Sequence, residues 1–151
     1  MNIRSATLQD KEKIIELVKT GLKEFGFEYS STTSELDLED FAEVYLNIEN
    51  TFLIMETSQG KLAATGALLK ERNHDSYKIQ KMYVSKMYRG LGYGKLMLEQ
   101  FIQLAKSNKA QIILLETSNH MKTAIGLYKS YGFKETCVIP KSPRYNITMT
   151  K

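Results

Sequence analysis

The sequence predicts a mixed α/β fold, in which a central sheet has helices on both faces. Short β-rich segments alternate with amphipathic segments whose apolar residues recur at helical spacing. Residues 111–117 (QIILLET) are almost continuously apolar, as expected for a strand that is covered on both faces. A glycine-rich turn at 90–94 joins a strand directly to an amphipathic helix. Together these features predict the element order β-α-α-β-β-β-α-β-α-β-β.

Local signals predict where the individual elements begin and end. Thr7 and Asp10 make a capping-box pattern before the first helix, and Gly26 and Gly132 end helices. The turn at 58–60 joins two β-rich segments into a hairpin. The predicted elements are strand 3–6, helix 14–25, loop 29–34, helix 35–47, strands 51–57 and 61–70, a polar turn at 72–76, strand 77–84, helix 92–106, strand 111–117, helix 121–131 and strands 136–139 and 145–149.

Amphipathicity and stop signals support the later elements. The helix at 35–47 is acidic on one face and apolar on the other, and the helix at 92–106 offers an apolar face for burial before Asn108. A turn that contains Pro140 and Pro143 allows the last two strands to pair as a hairpin.

Length, composition and charge restrict the class of protein. The 151 residues predict one domain spanning 1–151, and the net charge of +4 comes from scattered basic residues, which does not indicate a nucleic-acid surface. Cys137 is the only cysteine, so no intrachain disulfide is expected, and we expect it to be buried on a late strand. No signal region or membrane-length apolar segment is evident, and no residues cluster at metal-ligand spacings. We therefore expect a cytoplasmic protein without a metal or a membrane partner.

The segment 82–95 carries the clearest functional pattern. Gly90, Gly92 and Gly94 leave the backbone free of Cβ atoms where a helix begins, so its N–H groups can converge on an anion. Arg89 and Lys95 add positive charge on either side. This pattern predicts a cradle for a pyrophosphate group. The chain lacks the G-x-x-x-x-G-K-[ST] pattern of a P-loop, and its glycine spacing departs from the G-x-G-x-x-G dinucleotide fingerprint.

Two motifs resemble those of the GNAT superfamily of acyl-CoA-dependent N-acyltransferases. Arg89-x-x-Gly92-x-Gly94 matches the (Q/R)-x-x-G-x-(G/A) motif, and residues 124–133 match the A-I-x-L-Y-x-x-x-G-F segment of the family's last helix. The element order resembles the family over essentially the whole chain. The resemblance implies a mixed, mostly antiparallel sheet of six to seven strands with four flanking helices, and it implies acetyl-CoA (coenzyme A) as the cofactor.

The resemblance also assigns the cofactor contacts. Met82, Tyr83 and Val84 are expected to hydrogen-bond the pantetheine arm through their backbone, and Asn119 is expected to contact the pantetheine, to cap the last helix, or both. The backbone N–H groups of the glycine segment are expected to hold the pyrophosphate; the residues of this segment are Arg89, Gly90, Leu91, Gly92, Tyr93, Gly94 and Lys95.

Two residues are the candidates for proton transfer. Tyr128 matches the tyrosine that lies near the acyl-CoA sulfur in the family, and a phenol is protonated at neutral pH, so it can supply a proton to the leaving thiolate. Alternatively, Tyr128 only orients the cofactor. Many relatives have a glutamate base at the position of Lys78, and Glu116 is the substitute that position favours. Alternatively, Glu116 is a rim carboxylate paired with a lysine, and His120 is a second candidate base.

The acceptor site of the family lies among the first two helices, the loop between them and the last hairpin. Tyr29, Tyr45 and Arg144 are the candidate substrate contacts in these segments, and the acidic bias of the second helix suits a cationic amine. Arg144 and Tyr145 suit a carboxylate. The sequence therefore predicts transfer of an acetyl group to a primary amine of a small molecule, an amino acid or a peptide, by direct attack in a ternary complex.

Other interpretations remain open. A non-catalytic acyl-CoA-binding or sensing module would explain the lysine at the usual position of the base, and a fragment of a nucleotide-binding oxidoreductase is a third interpretation. The final strands offer an edge through which a homodimer can form.

Overall fold

The computed structural model describes residues 2–72 and 75–151, which form a seven-stranded sheet with helices on both faces. The strands are β1 (Asn2–Ser5), β2 (Thr51–Glu56), β3 (Leu62–Lys70), β4 (Ser76–Val84), β5 (Ile112–Thr117), β6 (Lys134–Thr136) and β7 (Ile147–Thr150). The helices are α1 (Lys11–Glu24), α2 (Leu36–Glu39), α3 (Phe41–Tyr45), α4 (Tyr93–Ser107) and α5 (Lys122–Ser130). The predicted mixed α/β class is confirmed. The predicted turn at 72–76 includes residues 73 and 74, which lie outside the described residues.

The capping box predicted before the first helix is present. Thr7 and Asp10 make its two reciprocal hydrogen bonds around a short 3₁₀ turn, Leu8–Asp10, that leads into α1. Asp10 also accepts two hydrogen bonds from Arg4, at 2.8 and 2.9 Å, which fastens β1 to this turn. These contacts hold the pKa of the Asp10 carboxyl well below its usual range; the hydrogen bonds from Arg4 are the largest cause.

The second predicted helix, at 35–47, is wrong as one continuous element. The structure divides it into α2 and α3, which meet at Asp40, where ψ is 36°. Leu38, Phe41 and Tyr45, which lie on the apolar face predicted for this segment, are all buried. The helical period of the segment therefore marks its buried face correctly, although it does not mark the break at Asp40.

The order of the strands in the sheet is β1-β2-β3-β4-β5-β7-β6. Neighbouring strands are antiparallel except for β4 and β5, which are parallel. The pairing of β4 with β5 ends at Ile79 and Leu115, although β4 continues to Val84. Beyond this point the two strands diverge, and the edge of β4 at 80–84 is left without a neighbour on that side.

A bulge in β4 lies at the same place. Gln80 pairs with Ala67 and Tyr83 with Thr65, so Lys81 and Met82 together oppose Gly66. Lys81 has a φ of 53°, an unusual value for a residue with a side chain, and its carbonyl accepts a hydrogen bond from the Thr65 hydroxyl at 3.0 Å. The bulge therefore breaks the alternation of side chains along β4.

Two hydrophobic clusters cover the faces of the sheet. The first packs α4 and α5 against one face, with Phe101, Met97 and Leu98 completely buried. The second packs α1, α2 and α3 against the other face, around Phe41 and Phe52. Alternate residues of β2 enter the two clusters, as expected for a central strand covered on both sides.

The predicted pairing of the last two strands is confirmed, because β6 and β7 are antiparallel neighbours, but their bounds differ from the predicted 136–139 and 145–149. β6 ends at Thr136, and residues 137–146, which we call the strap, leave the sheet before β7 begins. Val138 and Ile139 are 62% and 85% exposed, and Cys137 is exposed rather than buried as predicted. The β-propensity of these residues therefore does not extend the strand, since no packing partner covers them among the described residues.

We expect Gly66→Ala to lower the free energy of unfolding by about 1–3 kcal/mol. A Cβ atom at Gly66 would lie 2.6 Å from Cε2 of the buried Phe101 ring, so α4 would have to move away from the sheet. Gly126→Ala in α5 is the matched control, because no atom lies within 4 Å of its Cβ position. It should raise the free energy of unfolding by about 0.5–1 kcal/mol. Urea denaturation of both variants checks this, and equal stabilities would contradict the close packing of α4.

Candidate active site

A cleft of about 630 Å³ opens where β4 and β5 diverge. Residues 78–83 and 115–117 form its floor, and Tyr128 of α5 lines one side. The loop before α2 and residues 141–145 of the strap line the other parts of the wall. The cleft thus brings together elements that are far apart in the chain.

The free edge of β4 has the geometry expected of a strand-like contact with an extended ligand. Residues 80–84 pair with β3 on one side only. Met82 and Tyr83 line the cleft, whereas the Val84 carbonyl accepts a hydrogen bond from Arg89 Nε at 3.0 Å. The predicted backbone contacts of residues 82–84 with the pantetheine arm remain a prediction. The Val84 carbonyl oxygen already accepts the hydrogen bond from Arg89.

The glycine segment fits a diphosphate group. Gly90 and Gly92 have φ values of 75° and 82°, and no atom lies within 4 Å of the Cβ position of either residue. Gly92 precedes α4 and offers no side chain to cap it, and the first backbone bond of the helix is donated by Leu96. The N–H groups of residues 93–95 are therefore without a partner in the helix and are free for an anion. Gly94 meets only ordinary contacts from Val84 and Leu127.

Arg89 makes contacts that the sequence did not predict. Its guanidinium forms an ion pair with Glu24 at the end of α1 and donates to the Val84 carbonyl. Its backbone N–H donates to the Lys86 carbonyl at 3.4 Å. Arg89 thus fastens the glycine segment to α1 and to the end of β4.

Asn119 does not cap the last helix. Met121 occupies the N-cap position of α5, and no side chain caps that helix. The backbone N–H of Asn119 donates to Asn146 at 3.0 Å, which ties the turn after β5 to the strap, and the Asn119 side chain is exposed. A contact of Asn119 with the pantetheine remains a prediction.

Tyr128 lies in the cleft and is 7% exposed. Its ring packs at 6.0 Å from that of Phe133, and within the described residues its hydroxyl makes no hydrogen bond. Burial, with a smaller effect of the Tyr145 hydroxyl, raises the pKa of the Tyr128 phenol above its ordinary value. The phenol therefore keeps its proton at neutral pH.

Glu116 is paired with the residue that replaces the usual base. Lys78 Nζ lies 3.0 Å from Glu116 Oε1, and the two side chains are 12% and 5% exposed. The same carboxylate accepts the backbone N–H groups of Lys141 at 2.9 Å and of Ser142 at 3.4 Å. Of the two interpretations of Glu116, the structure thus shows the pairing with a lysine, and it adds a contact with the strap.

A second polar network lies on the α1 side of the cleft. Lys81 Nζ lies 3.0 Å from Asp37 Oδ1, and the other oxygen of Asp37 accepts hydrogen bonds from the Tyr45 hydroxyl and from Gln80. Gln80 also donates to the Tyr45 hydroxyl at 2.8 Å. The bulge in β4 makes this network possible because it brings the consecutive residues Gln80 and Lys81 to the same region.

Tyr29 and Tyr45 do not line the cleft in this structure. Tyr45 is 2% exposed and packs with Phe41 and Phe52, because a large aromatic ring gains most from burial in the core. The Tyr29 hydroxyl donates to Glu39 at 3.0 Å. The two tyrosines therefore lie behind the residues that line the cleft, and their predicted contact with a substrate remains a prediction.

Arg144 lines the cleft as predicted, but its charge is already paired. Its Nη1 lies 2.6 Å from Glu35 Oε1, its Nη2 lies 3.1 Å from Glu35 Oε2, and Nη2 also donates to the Ser34 hydroxyl. A carboxylate of a substrate would have to displace the buried Glu35 from Arg144. The predicted contact of Arg144 with a substrate carboxylate therefore remains a prediction.

Tyr83 and Tyr145 also face the cleft. The Tyr83 ring occupies the space that a side chain at Gly21 of α1 would need. Burial, together with the contact between the two hydroxyls and nearby carboxylates, raises the pKa of Tyr83 well above its ordinary value. The Tyr145 pKa is also raised, chiefly by burial.

Sequence reasoning missed Lys81 and Gln80. A regular strand would place them on opposite faces of the sheet, and no signal in the sequence marks the bulge that brings them together. The two residues complete a cleft in which each lysine of the floor is paired with a carboxylate.

No group of three or more His, Cys, Asp or Glu residues in the described ranges 2–72 and 75–151 is arranged to hold a metal ion. In the same part of the chain, no helix is both long and apolar enough to cross a membrane.

Comparison with known sequences shows the family. The model of the Acetyltransferase (GNAT) family matches residues 16–133. The Escherichia coli (strain K12) protein called uncharacterized N-acetyltransferase YjgM is 26% identical over 136 residues, which cover 87% of this chain and 81% of that protein. Rat N-acetyltransferase 8F1 is 29% identical over 112 residues, which cover 72% of this chain and 51% of that protein. The chain thus spans about half the length of several curated relatives.

Solved structures agree with this result. A GNAT-family acetyltransferase from Staphylococcus aureus MU50 is 26% identical, with a TM-score of 0.89 over 99% of this chain and 97% of that chain. An aminoglycoside 6′-N-acetyltransferase complexed with coenzyme A shares the fold at 16% identity, with a TM-score of 0.74 over 100% of this chain and 96% of that chain. Because the family model covers well over half of the sequence, the chain belongs to the Acetyltransferase (GNAT) family.

Proposed function

We propose that the chain transfers an acetyl group from acetyl-CoA to the primary amine of a small molecule, an amino acid or a peptide. The observation that carries this proposal is the position of Tyr128. Its protonated hydroxyl, without a hydrogen-bond partner in the described residues, lies in the cleft formed by the free edge of β4. The family and the named relatives are N-acetyltransferases, which supports this reaction class.

The residues present fit coenzyme A. The N–H groups at 93–95 suit the diphosphate, and the free edge of β4 at 82–83 suits the amide groups of the pantetheine arm. Such a strand-like contact would fix the thioester end of the arm in the cleft. Bound acetyl-CoA would supply a thioester that is activated for attack by an amine.

Tyr128 would act as the acid of the reaction. Its Oη keeps a proton at neutral pH because burial raises its pKa, and this proton is available for the departing thiolate sulfur. Tyr145, whose hydroxyl lies near that of Tyr128, extends the polar lining beside it.

Glu116 would remove a proton from the acceptor ammonium through a water molecule. A carboxylate offers about four acceptor positions, and the contacts with Lys78, Lys141 and Ser142 use three of them. Lys78 holds the Glu116 carboxylate at the floor of the cleft.

Direct attack by the amine is favoured over a covalent acyl-enzyme. Cys137 is exposed on the strap and is not among the residues that line the cleft. Holding the amine and the thioester together would supply much of the rate enhancement.

A non-catalytic acyl-CoA-binding module is the second candidate. The ion pair between Lys78 and Glu116 favours it, because it occupies the carboxylate that the reaction would use as a base. The two predictions below distinguish these functions.

We expect Tyr128→Phe to lower kcat by about 100-fold or more, because the acid of the reaction is lost. The affinity for acetyl-CoA should be unchanged. The wild-type rate should show no loss through deprotonation of Tyr128 below about pH 10, since burial raises its pKa above the ordinary value. Thiol release with acetyl-CoA and a panel of amines measures kcat.

Tyr131→Phe is the control, because the Tyr131 hydroxyl donates to Glu99 and does not line the cleft. An unchanged kcat in Tyr128→Phe would show that Tyr128 only packs.

We expect Glu116→Gln to lower kcat/KM by about 100-fold, because the amide cannot accept the proton. Steady-state thiol release measures this change. Glu71→Gln removes another carboxylate that holds the strap, through Lys141 Nζ, and should keep the wild-type kcat/KM. An equally small effect of the two substitutions would assign Glu116 to tethering of the strap alone. Binding of CoA without turnover on any amine would favour the binding module.

A further inference from the structure

The strap is held over the cleft by polar contacts. Glu116 accepts the N–H groups of Lys141 and Ser142, Lys141 Nζ pairs with Glu71 at 2.8 Å, and Asn146 donates its N–H to the Thr117 carbonyl. The large apolar side chains at the start of the strap, described above, are exposed to solvent. Hydrophobic burial therefore contributes little to the position of the start of the strap, at Val138 and Ile139.

Arg144 joins the strap to the opposite wall of the cleft. The bidentate ion pair of Arg144 with Glu35, which we call the clasp, links residues 109 positions apart in the chain. The two side chains are 11% and 2% exposed. Arg144 Nη2 also lies 3.4 Å from the Glu28 carbonyl, and its guanidinium lies 5.9 Å from the centre of the Phe27 ring.

The Glu35 carboxylate is also held by contacts that do not involve Arg144. Glu35 Oε2 accepts the backbone N–H of Ser30 at 3.0 Å and the Ser34 hydroxyl at 2.8 Å. The carboxylate thus organises the loop before α2, and Lys81 lies 3.9 Å away on the floor of the cleft. Although burial acts to raise it, the pKa of Glu35 is lowered overall by Arg144, the Ser30 and Ser34 contacts and Lys81. The clasp is therefore fully charged at neutral pH.

We propose that the clasp sets the size of the acceptor by holding the strap against the loop before α2. This inference rests on the proposed function. Both walls that the clasp joins line the acceptor side of the cleft, where the floor is formed by Lys78 and Lys81. An acceptor wider than a simple alkylamine has to separate Arg144 from Glu35 before it can enter. Because a buried ion pair is costly to break at one partner only, the closed state persists until both charges are compensated or removed.

The test removes both charges of the clasp together. The double variant Glu35→Gln/Arg144→Gln leaves no buried charge without its partner, and Arg144→Lys is a second, milder variant that loses the bidentate geometry but keeps the charge. The probes are butylamine and a hexapeptide whose N-terminus is its only primary amine. Three quantities are measured for the full chain: hexapeptide affinity of the CoA complex, CoA affinity of the free protein, and hydrogen exchange of residues 28–35 and 141–146.

We expect the double variant to bind the hexapeptide at least about tenfold more tightly than the wild type, since it no longer has to open the clasp. Hydrogen exchange of both segments should increase, CoA affinity should stay unchanged, and Arg144→Lys should fall between the two proteins. The ratio of kcat/KM for the hexapeptide to that for butylamine should rise in parallel. Glu71→Gln, which breaks an exposed ion pair of Lys141 on the same strap but leaves the clasp intact, should keep the wild-type hexapeptide affinity.

Equal hexapeptide affinity in the wild type and the double variant would overturn the proposal, as would unchanged hydrogen exchange of the two segments. A failure of the proposed function has a different result, because neither amine would then release thiol from acetyl-CoA in any variant. The comparison of hexapeptide affinities decides the role of the clasp in that case as well.

Discussion

Beyond Ile79 and Leu115 the parallel strands β4 and β5 no longer pair, and the site depends on this divergence. The end of β4 keeps β3 as its neighbour on one side and has a free backbone edge on the other. The same gap gives Tyr128 of α5 access to the cleft. If the strands stayed paired to the end of β4, backbone bonds would fill the space that a thioester and an amine need.

The charges around this gap follow from the cost of burial. Charged side chains can leave water only when partners and hydrogen bonds compensate them. Lys78 with Glu116, Lys81 with Asp37, and Arg144 with Glu35 provide this compensation on the floor and walls of the cleft. The pairing leaves these cations unavailable as simple receptors for a carboxylate.

The glycine segment and the cleft are formed in different ways. At the glycine segment, glycines with positive φ and the N–H groups at the start of α4 form a backbone arrangement that suits an anion and depends little on side chains. Around the cleft, the walls are side chains from loops and from the strap, held by ion pairs over long sequence separations.

The sequence by itself determined the order of the elements, the glycine cradle and the placement of Tyr128 on the last helix. These features depend on local periods, on glycine conformation and on motifs of fixed spacing, and all of these can be read along the chain. Only the tertiary structure decided the break at Asp40, the bulge that brings Gln80 and Lys81 together, the burial of Tyr45 and the exposure of Cys137. It also decided which charges pair, since Glu116 meets Lys78 and Arg144 meets Glu35 across elements that are distant in sequence. Such partners are selected by the cost of burying an uncompensated charge in the folded protein, and no local pattern of residues carries that information.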